Sequence, residues 1–259
     1  MKLTLGESCF IDTKKGKDIS IPLTNTPDSV RAWYCDPVSI EPVKTDSFVG
    51  DVNQGGSVNF RNIKLNPHGN GTHTECVGHI SKENFTLNQC LKEFHFIAAL
   101  ISIEPKKISN TEFNAVDNII DAELMQNAFR QLDPKSPFKP SAIIIRTLPN
   151  AEQKLKTNYS NTNPTYFSVD AIKFLDDHKI EHLIVDLPSI DREEDNGELL
   201  AHHAFWQYPV NTKTNKTITE LAYINNTIVD GLYFLDIQIT SLENDASPSK
   251  LMLHELLKC

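Results

Sequence analysis

The sequence has no CxxC pair, no long apolar run and no cluster of cations, and each absence removes a class of protein. Its five cysteines, Cys9, Cys35, Cys76, Cys90 and Cys259, are odd in number and widely spaced. A thiolate zinc site needs paired cysteines, and a disulfide framework belongs to smaller secreted chains. Reduced thiols in a cytoplasm are therefore expected. No apolar stretch approaches the roughly 20 residues of a membrane span, and the first residues turn polar too soon for a secretory signal. Acidic residues outnumber basic ones, 34 to 25, and the formal net charge is -9. Without clustered Lys and Arg, neither nucleic acid nor a membrane surface is an expected partner. What is present is 259 residues with 39% hydrophobic content, enough for a sizeable core. Nothing along it reads as a linker, so one domain over residues 1–259 is expected.

Residues 1 to 25 read as short strands, with alternation in Asp18-Ile-Ser-Ile-Pro-Leu23. Arg31 to Pro37 reads as a packed loop carrying Trp33 and Tyr34. Residues 50 to 72 are rich in Gly and Asn and suggest an irregular connection. The apolar runs Phe96–Ile103 and Ser141–Thr147 read as buried strands. The spacing predicts a helix over Asp121–Leu132, capped by Asp121, with Leu124, Phe129 and Leu132 as core positions. Ser168–His178 reads as a helix with a Ser cap, followed by a strand at Glu181–Asp186, which together with Ser141–Thr147 makes a βαβ unit. A late strand is expected over Tyr233–Ile239. The class is α/β or α+β, with strands dominating the N-terminal part.

Three of the nine histidines, His68, His73 and His79, fall within twelve residues of one another, together with Glu75. Imidazole and carboxylate are common ligands of zinc and related metals. In an extended chain His73 and Glu75 share a face, about 6.6 Å apart at the backbone. In a helix they would point roughly 200° apart, so the segment suits a strand and not a helical HExxH site. A straight strand would carry His79 roughly 20 Å away, so it joins only if the chain bends, and Gly78 offers that place. Gly69 and Gly71 allow positive φ or close approach to a ligand. A surface loop with polar residues is the bland alternative. Leu200-Ala-His-His203 forms a second cluster. Glu220 lies in the apolar stretch Thr217–Ile224 and needs a partner if buried, either a metal or an Arg or Lys.

The spacing Gly71-Thr72-His73, Glu75, His79 resembles the pattern of the cyclase family of metal-dependent hydrolases, whose best-known members are bacterial kynurenine formamidases. Asp18–Leu23, Ile145-Arg-Thr147, Val185-Asp-Leu-Pro-Ser-Ile-Asp191 and Ala246-Ser-Pro248 resemble further family segments, in the expected order. Three departures stand out. The first family histidine aligns with Gly69, and His68 sits one residue earlier. Glu75 replaces an Asp, moving the carboxylate about 1.5 Å further out. Val77 stands where the family has Pro.

The resemblance implies a compact, largely β core of the swivelling β/β/α type flanked by helices. It implies His68, His73, Glu75, His202 and Glu220 as metal ligands, with His203 as the rival of His202, and His79 as catalytic base. Trp33 and Tyr34 fall where the family has an aromatic substrate loop. One or two divalent ions are implied, zinc first and manganese second. The implied activity is hydrolysis of a formamide or cyclic amide, of the arylformamidase type found in tryptophan catabolism. The alternatives are a lactone, carbamate or other cyclic substrate at the same site, or a relative that binds a ligand or metal without turnover. A cytoplasmic homodimer or homotetramer acting on a small molecule completes the expectation.

Overall fold

A computed structural model describes residues 1–6, 9–132 and 136–258; Cys259 lies outside them. The central sheet contains eight strands: β1 (Lys17–Asp18), β2 (His73–Glu75), β3 (His95–Ile103), β4 (Ala142–Thr147), β5 (His182–Val185), β6 (Thr217–Glu220), β7 (Gly231–Ile239) and β8 (Ala246–Glu255). Strands β3, β4, β5 and β6 lie side by side in parallel. Strand β2 joins β6 antiparallel, β8 joins β2 antiparallel, and β7 lies antiparallel between β8 and β3. The pairings of seven strands thus close into a barrel-like ring, and β1 adds to β8.

The apolar runs are continuous because the central strands are buried on both faces. Ala98, Leu100, Ala142, Ile144 and Ile184 enter one core with Leu235, Ile237, Leu251 and Leu253 from β7 and β8. Ile101, Ile103, Ile143, Ile145, Leu183 and Val185 enter the other, under the helices. Among the described residues the helices are α1 (Leu87–Cys90), α2 (Ala122–Phe129), α3 (Val169–Asp177) and α4 (Leu200–Trp206). Fully buried Phe205 and Trp206 fix how α4 rolls against the sheet. Burial of a side chain as large as Phe contributes up to about 3 kcal/mol. No helix is long and apolar enough to cross a membrane among the described residues. Cys9, Cys35, Cys76 and Cys90 are free thiols.

The expected mixed α/β class and the parallel pairing of β4 with β5 are observed. Local details differ. Asp121 caps α2 through Leu124 N (3.1 Å), but the helix ends at Phe129. Met125 and Ala128 are its buried positions, whereas Leu124, Phe129 and Leu132 pack partly buried at its rim. Ser168 occupies the N-cap position of α3, but its hydroxyl bonds Ile120 O and the Asp170 carboxylate and does not cap the helix. The segment 50–72 is not wholly irregular: Arg61–Lys64 pairs with Ser39–Pro42. That ribbon is solvent-facing, so it lacks the alternation that burial imposes.

His182 on β5 is opposite Ala142, buried against the Phe96 ring (centroids 3.9 Å apart), with Nδ1 2.8 Å from Thr217 Oγ1. Burial keeps the ring neutral and moves its pKa from 6.5 down to about 4. The unfolded chain takes up a proton below about 6.5, but the folded one does so only below about 4. Stability should therefore fall as pH drops through that window, by an amount on the order of 3 kcal/mol. Denaturant unfolding of wild type and His182→Gln between these pH values checks this. The variant should lose that part of the slope, and equal slopes would remove His182 as its source.

Candidate metal centre

Strand β2 has three residues, and pairing places each of them. Glu220 of β6 is directly opposite His73, and Ile218 is opposite Glu75. Residues two apart on a strand share a face, as do directly opposed residues of antiparallel neighbours. His73, Glu75 and Glu220 therefore converge on the face that Ile218 presents to the helical layer. Thr74 and Thr219 point the other way and join their hydroxyls at 2.7 Å. On the far side, Ala246 and Pro248 of β8 hold Glu75 and His73 in register.

The chain then bends as the distant His79 requires. Val77–His79 forms a 3-10 turn, and a Cβ on Gly78 would stand 2.1 Å from Phe85 O, so the close approach at the turn leaves room only for glycine. His79 Nδ1 arrives 3.9 Å from Glu75 Oε2 and 3.6 Å from Asp245 Oδ2. His68 reaches the same carboxylate despite its register: Nδ1 is 2.9 Å from Glu75 Oε2. Helix α4 supplies His202, whose Nε2 is 3.1 Å from Glu75 Oε1 and 3.8 Å from Glu220 Oε1. His203 turns away, with Nδ1 3.0 Å from Tyr208 O.

Two acids beyond the expected set hold the histidines. Asp191 accepts from Ala201 N and His202 N at the start of α4 and lies 2.6 Å from His202 Nδ1. Asp245 Oδ2 lies 2.8 Å from His68 Nε2. Asp191 ends the recognisable stretch Val185–Asp191, and Asp245 directly precedes Ala246-Ser-Pro248, so both had a motif beside them as a signal. Glu220 is steadied by Ile190 N at 3.1 Å.

The residues fit a divalent ion. Gly71 O accepts from His73 Nδ1 (2.9 Å), which leaves Nε2 as a bare lone pair, fully buried and without a hydrogen-bond partner. Glu75 Oε2 is also without an aligned partner, although His68 Nδ1 is 2.9 Å away. A buried orphaned polar atom costs about 1–3 kcal/mol. Both residues belong to a set of imidazole nitrogens and carboxylate oxygens typical of divalent metals. Two overlapping groups, His73–Glu75–Glu220 and His68–Glu75–His79, bring ligand atoms within 4.8 Å of one another and share Glu75.

The surrounding charges act on the same groups. Burial opposes charge on His68, but Asp245 and Glu75 outweigh it and push its pKa up to about 10. Burial likewise opposes charge on His202, and Asp191 and Glu75 overcome it and raise its pKa. Burial would raise the Glu75 pKa, but His79, His202 and His68 hold it well below the usual range.

A cavity of about 400 Å³ opens on this cluster, lined by His68, His79, His202 and Glu220 and by Trp33, Cys35, Arg192, Glu193, Asp195 and Leu199. Trp33 therefore faces the site. Tyr34 does not line the cavity: it is 61% exposed, with its hydroxyl 3.1 Å from Asn161 Oδ1. Both residues adopt φ of 57°, and this sends the second ring away from the first.

A ligating imidazole must be neutral, so an ion displaces the protons that His68 and His202 hold at pH 7. Adding zinc to chelator-treated protein is expected to release protons, and apparent affinity should rise with pH. Calorimetry in buffers of different ionisation enthalpy measures the release, and uptake without proton release would contradict protonated His68 and His202.

A family model described as "Putative cyclase" matches residues 17–192. Comparison with curated proteins finds no match. Among solved structures, a predicted metal-dependent hydrolase from Bacillus stearothermophilus is similar at 15% identity, with a TM-score of 0.56, covering 93% of this chain and 98% of that one. Isatin hydrolase A from Labrenzia aggregata bound to benzyl benzoate is similar at 15% identity and TM-score 0.62, covering 93% of each chain. An isatin hydrolase bound to the product analogue thioisatinate is similar at 16% identity and TM-score 0.62, covering 95% of this chain and 93% of that one. These likenesses establish a shared fold. With the family match spanning more than half of its length, the chain belongs to the putative cyclase family.

Proposed function

We propose that this protein is a metal-dependent hydrolase that breaks the C–N bond of a formamide or cyclic amide. The observation that carries the reading is the buried set His73, Glu75, His202 and Glu220, with orphaned atoms on His73 and Glu75, beside a cavity that His202 and Glu220 line together with His79 and Trp33. In this reading His73, Glu75, His202 and Glu220 hold the ion and His68 completes the set. Zinc is the first choice for such nitrogen and oxygen donors, and manganese the second.

A bound divalent ion lowers the pKa of water from 15.7 toward about 7 and polarises a carbonyl group. The chain's own residues supply the rest. His79 is partly exposed in the cavity, with Nδ1 facing Asp245 and Glu75, which leaves Nε2 for proton exchange. Its ring takes the proton that the attacking water gives up and returns it to the leaving nitrogen as the C–N bond breaks. Trp33 offers a flat apolar wall for an aromatic or cyclic substrate. The cavity volume suits a small organic molecule. The isatin hydrolases of the same fold support the cyclic-amide side of the reading.

The test is a panel of formanilides, cyclic imides, lactams, lactones and carbamates, presented to metal-replete and chelator-treated protein. Hydrolysis of at least one amide is expected, lost on chelation and restored by a divalent ion. His79→Ala should lower kcat by about 10²–10⁴ while bound metal is unchanged. A metal-replete protein that leaves every amide intact would sink the reading. Turnover confined to lactones or carbamates would keep the centre and change the substrate class.

A further inference from the structure

Three histidines, His68, His73 and His202, turn one nitrogen toward the buried carboxylates and have the other held from outside. Gly71 O holds His73 Nδ1 at 2.9 Å, and Asp191 holds His202 Nδ1 at 2.6 Å. Asp245 Oδ2 holds His68 Nε2 at 2.8 Å. The three acceptors come from different parts of the chain, and the arrangement is that of ligands fixed by a second layer of hydrogen bonds. The third case matters most, because His68 has the least other support. His73 and His202 are buried and sit on secondary structure, whereas His68 is a partly exposed loop side chain.

The loop geometry adds a second observation. A Cβ at position 69 would stand 2.5 Å from Cys35 Sγ and 3.1 Å from Ala32 O, so a side chain there requires the Cys35 side chain and the turn beside it to shift. The Ala32–Cys35 turn is fastened against it by the bond from Ala32 N to Gly69 O at 2.9 Å. The histidine of this loop stands at 68, one residue before the crowded position, and something must turn it inward. His68 Nδ1 lies 2.9 Å from Glu75 Oε2, but the two are misaligned as a hydrogen bond. The bond that fixes the ring is the one to Asp245.

We infer that Asp245 is a positioning residue that turns His68 into the metal centre, so that His68 presents Nδ1 as a ligand atom. The inference rests on the metal reading above. Asp245 sits directly before β8, whose first residue, Ala246, is paired with Glu75. One strand register thus fixes both the carboxylate that faces His68 Nδ1 and the carboxylate that grips His68 Nε2.

The test is zinc affinity, read by competition with a chelating dye, for wild type, Asp245→Ala, Asp245→Asn, His68→Ala and the double variant His68→Ala/Asp245→Ala. Removing such an outer partner weakens metal binding about 10–100-fold, and that loss is expected for Asp245→Ala. Asp245→Asn keeps an oxygen for Nε2–H and should lose less. In the His68→Ala background, Asp245→Ala should add little, because its effect passes through His68. Unchanged affinity in both Asp245 variants would overturn the inference, and so would equal losses with and without His68. A wild-type protein that takes up no zinc at all would instead defeat the metal reading itself, and this inference with it.

Discussion

Two carboxylates, Glu75 and Glu220, are buried at 0% and 3% exposure on adjacent strands. Little water reaches them to screen charge, and buried carboxylates side by side need polar or charged partners. Most of what surrounds the site follows from that constraint. Imidazoles ring the carboxylates, Ile190 N supports Glu220, and Asp191 and Asp245 set the outward nitrogens of the histidines. Without a cation the cluster balances its charge by holding protons on His68 and His202. A divalent ion does the same work with less freedom for the side chains.

The barrel makes the constraint reproducible. Strand β2 has a neighbour on each edge, so its three residues cannot slip without moving His73 and Glu75 to the opposite face. Thr74 and Thr219 lock that register from behind through their hydroxyls. The helical side is fixed differently. Successive residues of a helix differ by about 100° around its axis, so the choice between His202 and His203 depends on how α4 rolls. Phe205 and Trp206 set that roll from within the core.

Much of this was legible in the sequence. The strands buried on both faces announce themselves as apolar runs, and the spacing of His73, Glu75 and His79 implies a strand followed by a bend. What escaped has physical reasons. Asp245 meets His68 across 177 positions, and no local pattern encodes such a contact. The Arg61–Lys64 ribbon faces solvent, so nothing in its pattern of polarity marks it as a strand. Trp33 and Tyr34 look equivalent as neighbours in sequence. Their shared left-handed backbone sends one ring into the cavity and leaves the other in water. The family pattern pointed to His68, His73, Glu75, His202 and Glu220, which the fold brings together, but was silent on Asp191 and Asp245 beside them.

The shortness of β2 also bears on the order in which the molecule is made. Its partner threonine on β6 lies 145 residues downstream, and the Ser249 hydroxyl that also reaches Thr74 lies 175 downstream. During synthesis His73 and Glu75 emerge long before either flanking strand exists to shelter them. The centre is thus among the last parts of the molecule to become native, since contacts so distant in sequence form late and slowly. A nascent chain carries His73 and Glu75 in open solution for most of its growth, with no geometry yet imposed on them. The cluster is complete only when β8 arrives, and the same event that closes the barrel brings Asp245 to His68.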